Sequence, residues 1–271
     1  MLKKIKATST YIQEITGFKA EIGIILGTGL GGLVNEIEII RTLPYASIPN
    51  FPVSTVEGHK GQLIFGKLGG KNIIAMQGRF HFYEGYSLLD VTFPVRVMSD
   101  LGIKILFVSN ASGGLNPTFK VGDVMMITDH INMFGSNPLI GPNLNELGIR
   151  FPDMSQAYDF KLLDIARKIA LQNHIDLKEG VYVGVSGPTF ETPAEYKMFR
   201  ILGGDAIGMS TVPEVIVARH SGMKVFGISI ITDSGVPGEI IEISHEEVQE
   251  VASKAEPKMS LIIKELIASF S

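Results

Sequence analysis

Residues 77–86 carry side chains that could bind an anion and a sugar. The stretch reads Gln-Gly-Arg-Phe-His-Phe-Tyr-Glu-Gly-Tyr and places Arg79, His81 and Tyr83 at alternate positions. If the chain is extended here, alternation turns these three side chains to one side. The guanidinium is a planar fork of donors that suits phosphate oxygens, the imidazole adds a donor, and the phenol ring can lie against a sugar. The same ten residues are also compatible with a loop that has a surface Arg and a half-buried Tyr.

The polar stretch follows residues 71–76, an apolar run that predicts a buried strand. Ligands bind beyond the ends of strands in open α/β sheets. Polar residues follow other predicted strands in the same way, namely Thr28, Asn110, Glu191, Ser210 and Asp233. Their convergence predicts a small-molecule site.

Residues 27–32, Gly-Thr-Gly-Leu-Gly-Gly, follow a predicted strand and fit the G-x-G-x-x-G pattern of dinucleotide-binding folds. That pattern also needs an acidic residue about 20 positions later to bind a ribose hydroxyl. Residues 41–50 contain none, so NAD binding remains a weak alternative. The motif still offers glycine backbone that can approach an anion, beside the Thr28 hydroxyl. His59, between two glycines at 58 and 61, is compatible with either a surface loop residue or a ligand contact.

The composition excludes several classes of protein. The 271 residues have a net charge of −4 and no block of basic residues, which argues against nucleic acid as the main partner. There is no cysteine, so disulfides, thiol catalysis and cysteine metal sites are excluded. No stretch of 18 unbroken apolar residues predicts a membrane span, and no apolar run after the basic N-terminal residues predicts a signal peptide. We therefore expect a soluble cytoplasmic protein.

Strands and helices alternate along the chain. Strands are predicted at 21–26, 38–43, 62–65, 71–76, 105–108, 124–128, 180–185, 205–209 and 224–232, which leaves Asp233 just past a strand end. Helices are predicted at 3–16 with Gly17 as the stop, at 91–101, at 160–173, from Pro193 with Thr192 as its cap, at 214–221 and from the capping-box residue Ser244 onward. The pattern predicts an α/β fold, with residues 1–271 as a single domain whose central mixed β-sheet is flanked by helices. Residues 129–158 show no periodicity and are expected to be functional, mobile or an interface.

From Gly27 to the last helix, the chain resembles the homotrimeric class of purine nucleoside phosphorylases. Seven stretches carry the resemblance in the same order along the chain, at residues 27–31, 58–61, 77–86, 110–114, 187–192, 208–214 and 245–248. The resemblance implies a phosphorylase-like fold and an enzyme of purine salvage. Its reaction would be reversible phosphorolysis of purine ribonucleosides and 2′-deoxyribonucleosides to the free base and (deoxy)ribose 1-phosphate. It also implies a homotrimer with inorganic phosphate as co-substrate, and no metal or organic cofactor.

The resemblance assigns roles by position. The implied phosphate site comprises Thr28, His59 as a neighbouring gate, Arg79, His81, the backbone N–H of Ala111, and Ser210. The implied sugar site comprises Tyr83, Met209, His245 near the 5′-hydroxyl, and Phe151 supplied by the neighbouring subunit. The implied base site comprises Phe190, Glu191 and Asp233. The catalytic residues would be His81, Glu191 and Asp233. On this assignment we expect Arg79→Ala to impair phosphate use while leaving the fold intact.

Asp233 departs from the family pattern, because members restricted to 6-oxopurines carry Asn there. Glu191 can accept a hydrogen bond from N1–H of a 6-oxopurine. An ionised Asp233 would favour a 6-amino group, whereas a protonated Asp233 could donate to N7, and burial beside Glu191 favours protonation. We therefore expect a 6-oxopurine enzyme with added tolerance for adenosine. A lower adenosine-to-inosine efficiency ratio in Asp233→Asn would support this expectation.

Three alternatives remain at this point. A methylthioadenosine phosphorylase is disfavoured by Glu191 and His245, because a polar partner for the 5′ position suits a hydroxyl better than a thioether. An NAD-dependent oxidoreductase would bind its cofactor without competition from phosphate. A non-catalytic nucleoside-binding protein would bind nucleoside tightly and release no product.

Overall fold

The computed structural model describes residues 1–28, 30–53, 55 and 60–270. The described residues form nine strands: β1 (Ile22–Leu26), β2 (Glu38–Pro44), β3 (Gln62–Leu68), β4 (Lys71–Gln77), β5 (Ile105–Gly114), β6 (Val124–Met133), β7 (Leu177–Val185), β8 (Ala206–Gly208) and β9 (Lys224–Ser234). They also form seven α-helices: α1 (Leu2–Thr16), α2 (Leu88–Val91), α3 (Phe93–Asp100), α4 (Phe160–Gln172), α5 (Pro193–Ile201), α6 (Val212–His220) and α7 (His245–Ala268). The α/β prediction is confirmed.

All nine described strands belong to one mixed sheet, in the order β2-β3-β4-β1-β5-β8-β7-β6-β9. β1 lies parallel to β4 on one side and to β5 on the other. β9 pairs with β6 antiparallel and also with β5 in parallel, so the strands from β5 to β9 form a closed ring of pairings. This closure brings the ends of β5, β8 and β9 close together.

Apolar runs explain which strands are central. Every residue of β1 is buried, as expected for a parallel strand covered on both faces. β2 is an edge strand and is exposed along almost its whole length. Helices α1 and α3 pack on each other, and α7 packs against β9 and α4. Among the described residues, no helix is both long enough and apolar enough to cross a membrane.

Local signals fix the helix ends that the sequence predicted. α1 ends at Gly17, which adopts the left-handed conformation at φ 59°. α5 begins with Pro193 after a capping box between Thr192 and Glu195. α7 begins after a second capping box, in which Ser244 accepts from the Glu247 N–H and Glu247 accepts from the Ser244 N–H.

Three sequence-based expectations need correction. β5 continues through residues 109–114 and β6 continues to Met133, because β9 and β7 supply hydrogen-bonding partners beyond the apolar runs. Asp233 lies within β9 rather than after it, since β9 pairs with β5 as far as Ser234. Residues 82–84 form a turn of 3-10 helix, so the chain is extended at His81 but no longer at Tyr83.

Candidate active site

One cavity collects the polar residues that follow the strands. Of the predicted site residues that the structure describes, all except Phe151 line it: Thr28, Arg79, His81, Tyr83, Ala111, Phe190, Glu191, Met209, Ser210, Asp233 and His245. These residues come from the loops after β1, β4 and β8, from β5 and β9, from the loop before α5 and from the start of α7. The 3-10 turn at 82–84, rather than strand alternation, brings Tyr83 to the same cavity as Arg79 and His81.

Arg79 is the cation of the cavity and is almost completely buried, at 1% exposure. Its Nε donates to Glu214 Oε1 of α6 at 2.9 Å, and both side chains are buried. Its Nη1 donates to the Ser109 carbonyl at 2.7 Å and to Ser210 Oγ at 3.2 Å. These contacts fix the plane of the guanidinium, which is the condition for directional binding of an oxyanion. We call Arg79, His81 and Ser210 the anion cluster.

The glycine motif after β1 serves close packing. A side chain at Gly27 would place its Cβ 2.7 Å from the Ser109 carbonyl oxygen and 3.3 Å from Arg79 Nη1. A side chain at Gly32 would collide with the Glu256 carboxylate of α7. The motif leads into a 3-10 helix, Gly31–Glu36, whereas the dinucleotide pattern places phosphates at the start of an α-helix. The loop therefore differs from a dinucleotide-binding turn, while Thr28 still lines the cavity.

His81 is oriented by Glu84. Glu84 Oε1 accepts from the His81 backbone N–H at 2.7 Å and lies 3.1 Å from His81 Nδ1. Burial raises the pKa of Glu84, but hydrogen bonds from His81 and Thr55 outweigh burial and lower it to about 2. Burial lowers the pKa of His81, and Glu84 only partly offsets this effect. A neutral His81 that donates from Nδ1 to Glu84 carries its lone pair on Nε2, so this ring can accept a proton from a phosphate hydroxyl.

The turn that presents Ser210 is strained. Thr211 has φ 71° and ψ −56°, a conformation that L-residues rarely adopt. The Val212 N–H donates to the Ser210 carbonyl at 2.7 Å, which closes a γ-turn around Thr211. The Thr211 hydroxyl accepts from Asn110 Nδ2 at 2.8 Å and lies 3.1 Å from Ser210 Oγ. Strain of this kind is concentrated at functional sites, where the surrounding contacts hold it in place.

Two carboxyl groups and a phenol form a second group in the cavity wall, which we call the acid cluster: Glu191, Tyr196 and Asp233. Tyr196 Oη donates to Asp233 Oδ2 at 3.2 Å, and Thr232 Oγ1 donates to Asp233 Oδ1 at 2.9 Å. Burial, with the charge of Asp233 as a smaller cause, raises the pKa of Glu191 to about 7. Burial also raises the pKa of Asp233. A neutral carboxyl group at Glu191 is therefore accessible near neutral pH.

The remaining predicted residues line the cavity with an aromatic ring, a thioether and an imidazole. The Tyr83 ring stacks on His81, with centroids 4.7 Å apart. Gly187 has φ 62°, and a side chain there would collide with the Met209 thioether. His245 is the first residue of α7, and its Nε2 is buried with no hydrogen-bond partner among the described residues. A buried ring nitrogen on the cavity wall can serve a bound ligand.

Two predicted site residues are not among those shown to line the cavity. His59 lies outside the residues that the structure describes. Phe151 does not line this cavity but is 83% exposed, beside a separate depression lined by His130, Ile140 and Ile216. An exposed aromatic ring on a chain segment that packs little against its own protein suits a contact with a second copy.

Sequence reasoning missed the residues that hold the site residues in place. Glu214 pairs with Arg79, Tyr196 joins the acid cluster, and Gly113 leaves room for the Asp233 carboxyl, since a Cβ there would lie 2.9 Å from Oδ2. Glu214 ends stretch 208–214 but carried no sign of its pairing with Arg79, and Tyr196 lies on a helix outside the seven stretches. Gly113 lies in the glycine-rich end of β5, and this run of glycines was the sequence feature that could have identified it. Among the described residues, no group of three or more His, Cys, Asp or Glu side chains could hold a metal ion.

Comparison with known proteins identifies relatives over the whole chain. The sequence profile of the Phosphorylase superfamily matches residues 21–268. Purine nucleoside phosphorylase 1 of Bacillus subtilis is 53% identical over 270 residues, which covers 100% of both chains. Purine nucleoside phosphorylase isoform 2 of Schistosoma mansoni, solved with cytosine and ribose-1-phosphate, superposes with a TM-score of 0.94 at 44% identity over 99% of this chain and 97% of its own. Schistosoma mansoni purine nucleoside phosphorylase solved with adenosine gives a TM-score of 0.94 at 43% identity, with 99% and 98% covered.

Proposed function

Because the chain belongs to the phosphorylase superfamily, we propose that its cavity carries out the reversible phosphorolysis of purine nucleosides. The protein is an enzyme, and its reaction is a pentosyl transfer from a purine to phosphate. The observation that carries the proposal is that one cavity holds both the anion cluster and the acid cluster. The anion cluster suits phosphate, and the acid cluster suits the polar edge of a purine. In phosphorolysis the sugar passes from the purine to phosphate.

The anion cluster supports the role of phosphate as nucleophile. When the C1′–N9 bond breaks, positive charge develops on the sugar, and the purine leaves with the electron pair and takes up a proton. Phosphate held by Arg79 and Ser210 stabilises the cationic sugar and forms the new C1′–O bond. Holding phosphate beneath the anomeric carbon also supplies proximity, an effect on the order of several kcal/mol. We propose Thr28, the Ala111 N–H and His59 as further phosphate contacts, and inorganic phosphate as co-substrate without an organic or metal cofactor.

The acid cluster supports recognition of the base. A carboxylate at Glu191 can accept N1–H of a 6-oxopurine, and a protonated Asp233 can donate to N7 and so assist departure of the purine. We propose Phe190 as an apolar contact for the base, and Tyr83, Met209 and His245 as the sugar contacts, with His245 serving the 5′-hydroxyl. Inosine and guanosine are the proposed main substrates. The crystallised adenosine complex of the Schistosoma relative supports tolerance for adenosine.

We also propose that the protein assembles as a homotrimer in which Phe151 of one subunit closes the sugar site of the next. Two observations support this arrangement. Phe151 is exposed, and the exposed apolar side chains Ile140 and Ile149 lie on the same segment between β6 and α4. Apolar side chains that cluster on a surface mark contact sites with other molecules.

A chromatographic assay of purified protein tests the function. Inosine, guanosine and adenosine are each incubated with and without phosphate. Release of hypoxanthine and guanine only with phosphate is the expected result. Release without phosphate would identify a hydrolase and contradict the roles given to the anion cluster. No release in any reaction would instead favour a nucleoside-binding protein.

A further inference from the structure

Tyr196 interacts with both acids of the cavity. The proposed reaction gives this residue no role, and it lies outside the sequence motifs. Its hydroxyl donates to Asp233 Oδ2 at 3.2 Å, and it also interacts with the Glu191 carboxyl. The ring is 4% exposed, and α5 carries it on the turn that follows the Thr192–Glu195 capping box. The phenol is therefore held against the Asp233 carboxyl, and it is near enough to Glu191 to influence the pKa of that group.

The acid cluster lacks a compensating cation. Within the described residues, no Lys, Arg or His side chain hydrogen-bonds to Glu191 or Asp233. The groups that face the phenol are Glu191 from its loop, Asp233 from β9 and, on α5 itself, the exposed Glu195, so all the nearby charges are negative. Two carboxylates that share a low-dielectric site retain one proton between them. A phenol has one proton to donate, so it can satisfy only one carboxylate at a time.

On the basis of the proposed function, we infer that Tyr196 joins Glu191 and Asp233 into one unit that holds a single carboxyl proton, and that the position of this proton selects the purine. With Glu191 ionised and Asp233 protonated, the pair accepts N1–H and donates to the O6/N7 edge of a 6-oxopurine. With Glu191 protonated and Asp233 ionised, it donates to N1 and accepts from the amino group of a 6-aminopurine. Tyr196 interconverts the two by giving its proton to one carboxylate and taking the proton of the other, so the net charge stays the same.

The inference has a kinetic signature, because both arrangements contain the same number of protons. The ratio of kcat/KM for adenosine to kcat/KM for inosine is expected to be constant between about pH 5.5 and about pH 8 in the wild-type enzyme, although each value varies with pH. If Glu191 alone decided the choice of base, adenosine would need a protonated Glu191 and inosine an ionised one. The ratio would then fall about tenfold for each pH unit above the pKa of Glu191.

Substitution of one acid at a time is expected to make the adenosine-to-inosine ratio of kcat/KM depend on pH, with opposite sign in the two variants. In Asp233→Asn, Glu191 exchanges its proton with solvent alone, so the ratio falls as pH rises. In Glu191→Gln, inosine needs a protonated Asp233 and adenosine an ionised one, so the ratio rises with pH. Each slope is expected to approach tenfold per pH unit.

Tyr196→Phe tests the phenol as a positioning residue. Without the hydroxyl, ionised Asp233 loses a hydrogen bond that favours the arrangement for a 6-aminopurine, so the ratio is expected to fall about tenfold, by a factor that does not depend on pH. Tyr158→Phe is the matched control, because it also removes a buried phenol hydroxyl, one that contacts His130 and does not line the cavity. The control is expected to keep the wild-type ratio, and thermal unfolding of both variants checks that they fold.

The outcomes separate this inference from the proposed function. A wild-type ratio that changes about tenfold per pH unit would overturn the inference. A ratio in Tyr196→Phe that equals the wild-type ratio, or a ratio that does not change with pH in the two acid variants, would also overturn it, as would inosine phosphorolysis with no adenosine turnover at any pH. In each of these cases the phosphorylase function stands. The function itself fails only if none of the three nucleosides releases its base in a phosphate-dependent way.

Discussion

Arg79 belongs to the cavity and to the core at the same time. The sequence predicted a site donor whose removal leaves the fold intact, whereas the structure gives Arg79 a partner in the core as well. Arg79 is buried in an ion pair with Glu214 of α6, and removing one partner of such a pair leaves an uncompensated buried charge. The sequence analysis included Glu214 in stretch 208–214 but could not pair it with Arg79, because the two residues lie far apart along the chain.

We expect Arg79→Ala to lower the free energy of unfolding by about 3–5 kcal/mol and to raise the KM for phosphate strongly. Urea unfolding and phosphate kinetics measure the two effects. The double variant Arg79→Ala/Glu214→Ala separates them, because it removes the orphaned charge and is expected to regain most of the stability without regaining phosphate affinity. If the single variant is as stable as the wild type, the buried pair does not contribute to folding.

Glu191 links stability to pH. Its pKa is raised from the ordinary 4.5 to about 7, so the folded state binds more protons than the unfolded state between these values. Stability from this group is therefore present at low pH and is lost as pH rises through that window. We expect Glu191→Gln to be more stable than the wild type at pH 8 by about 1–3 kcal/mol, after allowance for partial exposure, with the difference shrinking towards pH 4.5. A pH-independent difference in urea unfolding would contradict the raised pKa.

The same substitution tests recognition of the base. An amide at position 191 still accepts a hydrogen bond but loses the charge, and Asp233 then faces the O6/N7 edge of a 6-oxopurine as the only acid. We expect kcat/KM for inosine to fall by an amount equivalent to about 2–4 kcal/mol of transition-state binding. Steady-state kinetics with inosine measure this loss. An unchanged value would show that Glu191 does not contact the base.

At the scale of elements, caps and turns decide where the side chains point. The sequence identified the Thr192 and Ser244 caps because capping boxes are local, with both partners within four residues. The sequence-based prediction ended β9 before Asp233, because aspartate is uncommon in strands. Pairing with β5 extends the strand, through a register shift after Ser112. Strand ends that depend on a distant partner could not be predicted from the segment itself.

The Ser244 cap is expected to position His245. Loss of the cap in Ser244→Ala should cost about 0.5–2 kcal/mol of stability. If His245 binds the 5′-hydroxyl, the KM for inosine should rise several-fold, while that for 5′-deoxyinosine changes little. Asp159→Ala is the control, because it removes the cap of α4, which is remote from the cavity. Equal effects on both nucleosides would show that the cap has no specific role at the 5′ position.

At the scale of the whole molecule, the sequence predicted the fold class but not the strand order. Alternating apolar segments indicate α/β architecture. The double pairing of β9 with β5 and β6, however, is a contact between distant segments that no local pattern encodes. The cavity is a similar case. The residues that line it were predicted because they follow predicted strands. Tyr196 and Glu214, in contrast, lie on helices that the closed ring of strands brings against those residues.

If the protein is a trimer as proposed, two impaired variants should complement each other in mixed trimers. Phe151→Ala alone should raise the KM for inosine about tenfold, equivalent to about 1.4 kcal/mol. Co-expression with Glu191→Gln should give mixed trimers in which an intact cavity meets an intact Phe151 from its neighbour. The mixture is then expected to be more active than the average of the two separate variants, and sedimentation measures the assembly. Activity equal to that average would show that Phe151 does not act across an interface.

The γ-turn at Thr211 has a consequence for selection. A conformation of this kind costs about 1–3 kcal/mol, and the chain retains it because Asn110 and Ser210 are held by the same hydroxyl. Glycine would relax the turn, so Thr211→Gly is expected to raise the melting temperature while lowering turnover. In a laboratory population selected only for heat resistance, glycine should therefore replace threonine at this position, and the enzyme should become more stable with a slower turnover. Selection that also demands growth on nucleosides should retain threonine.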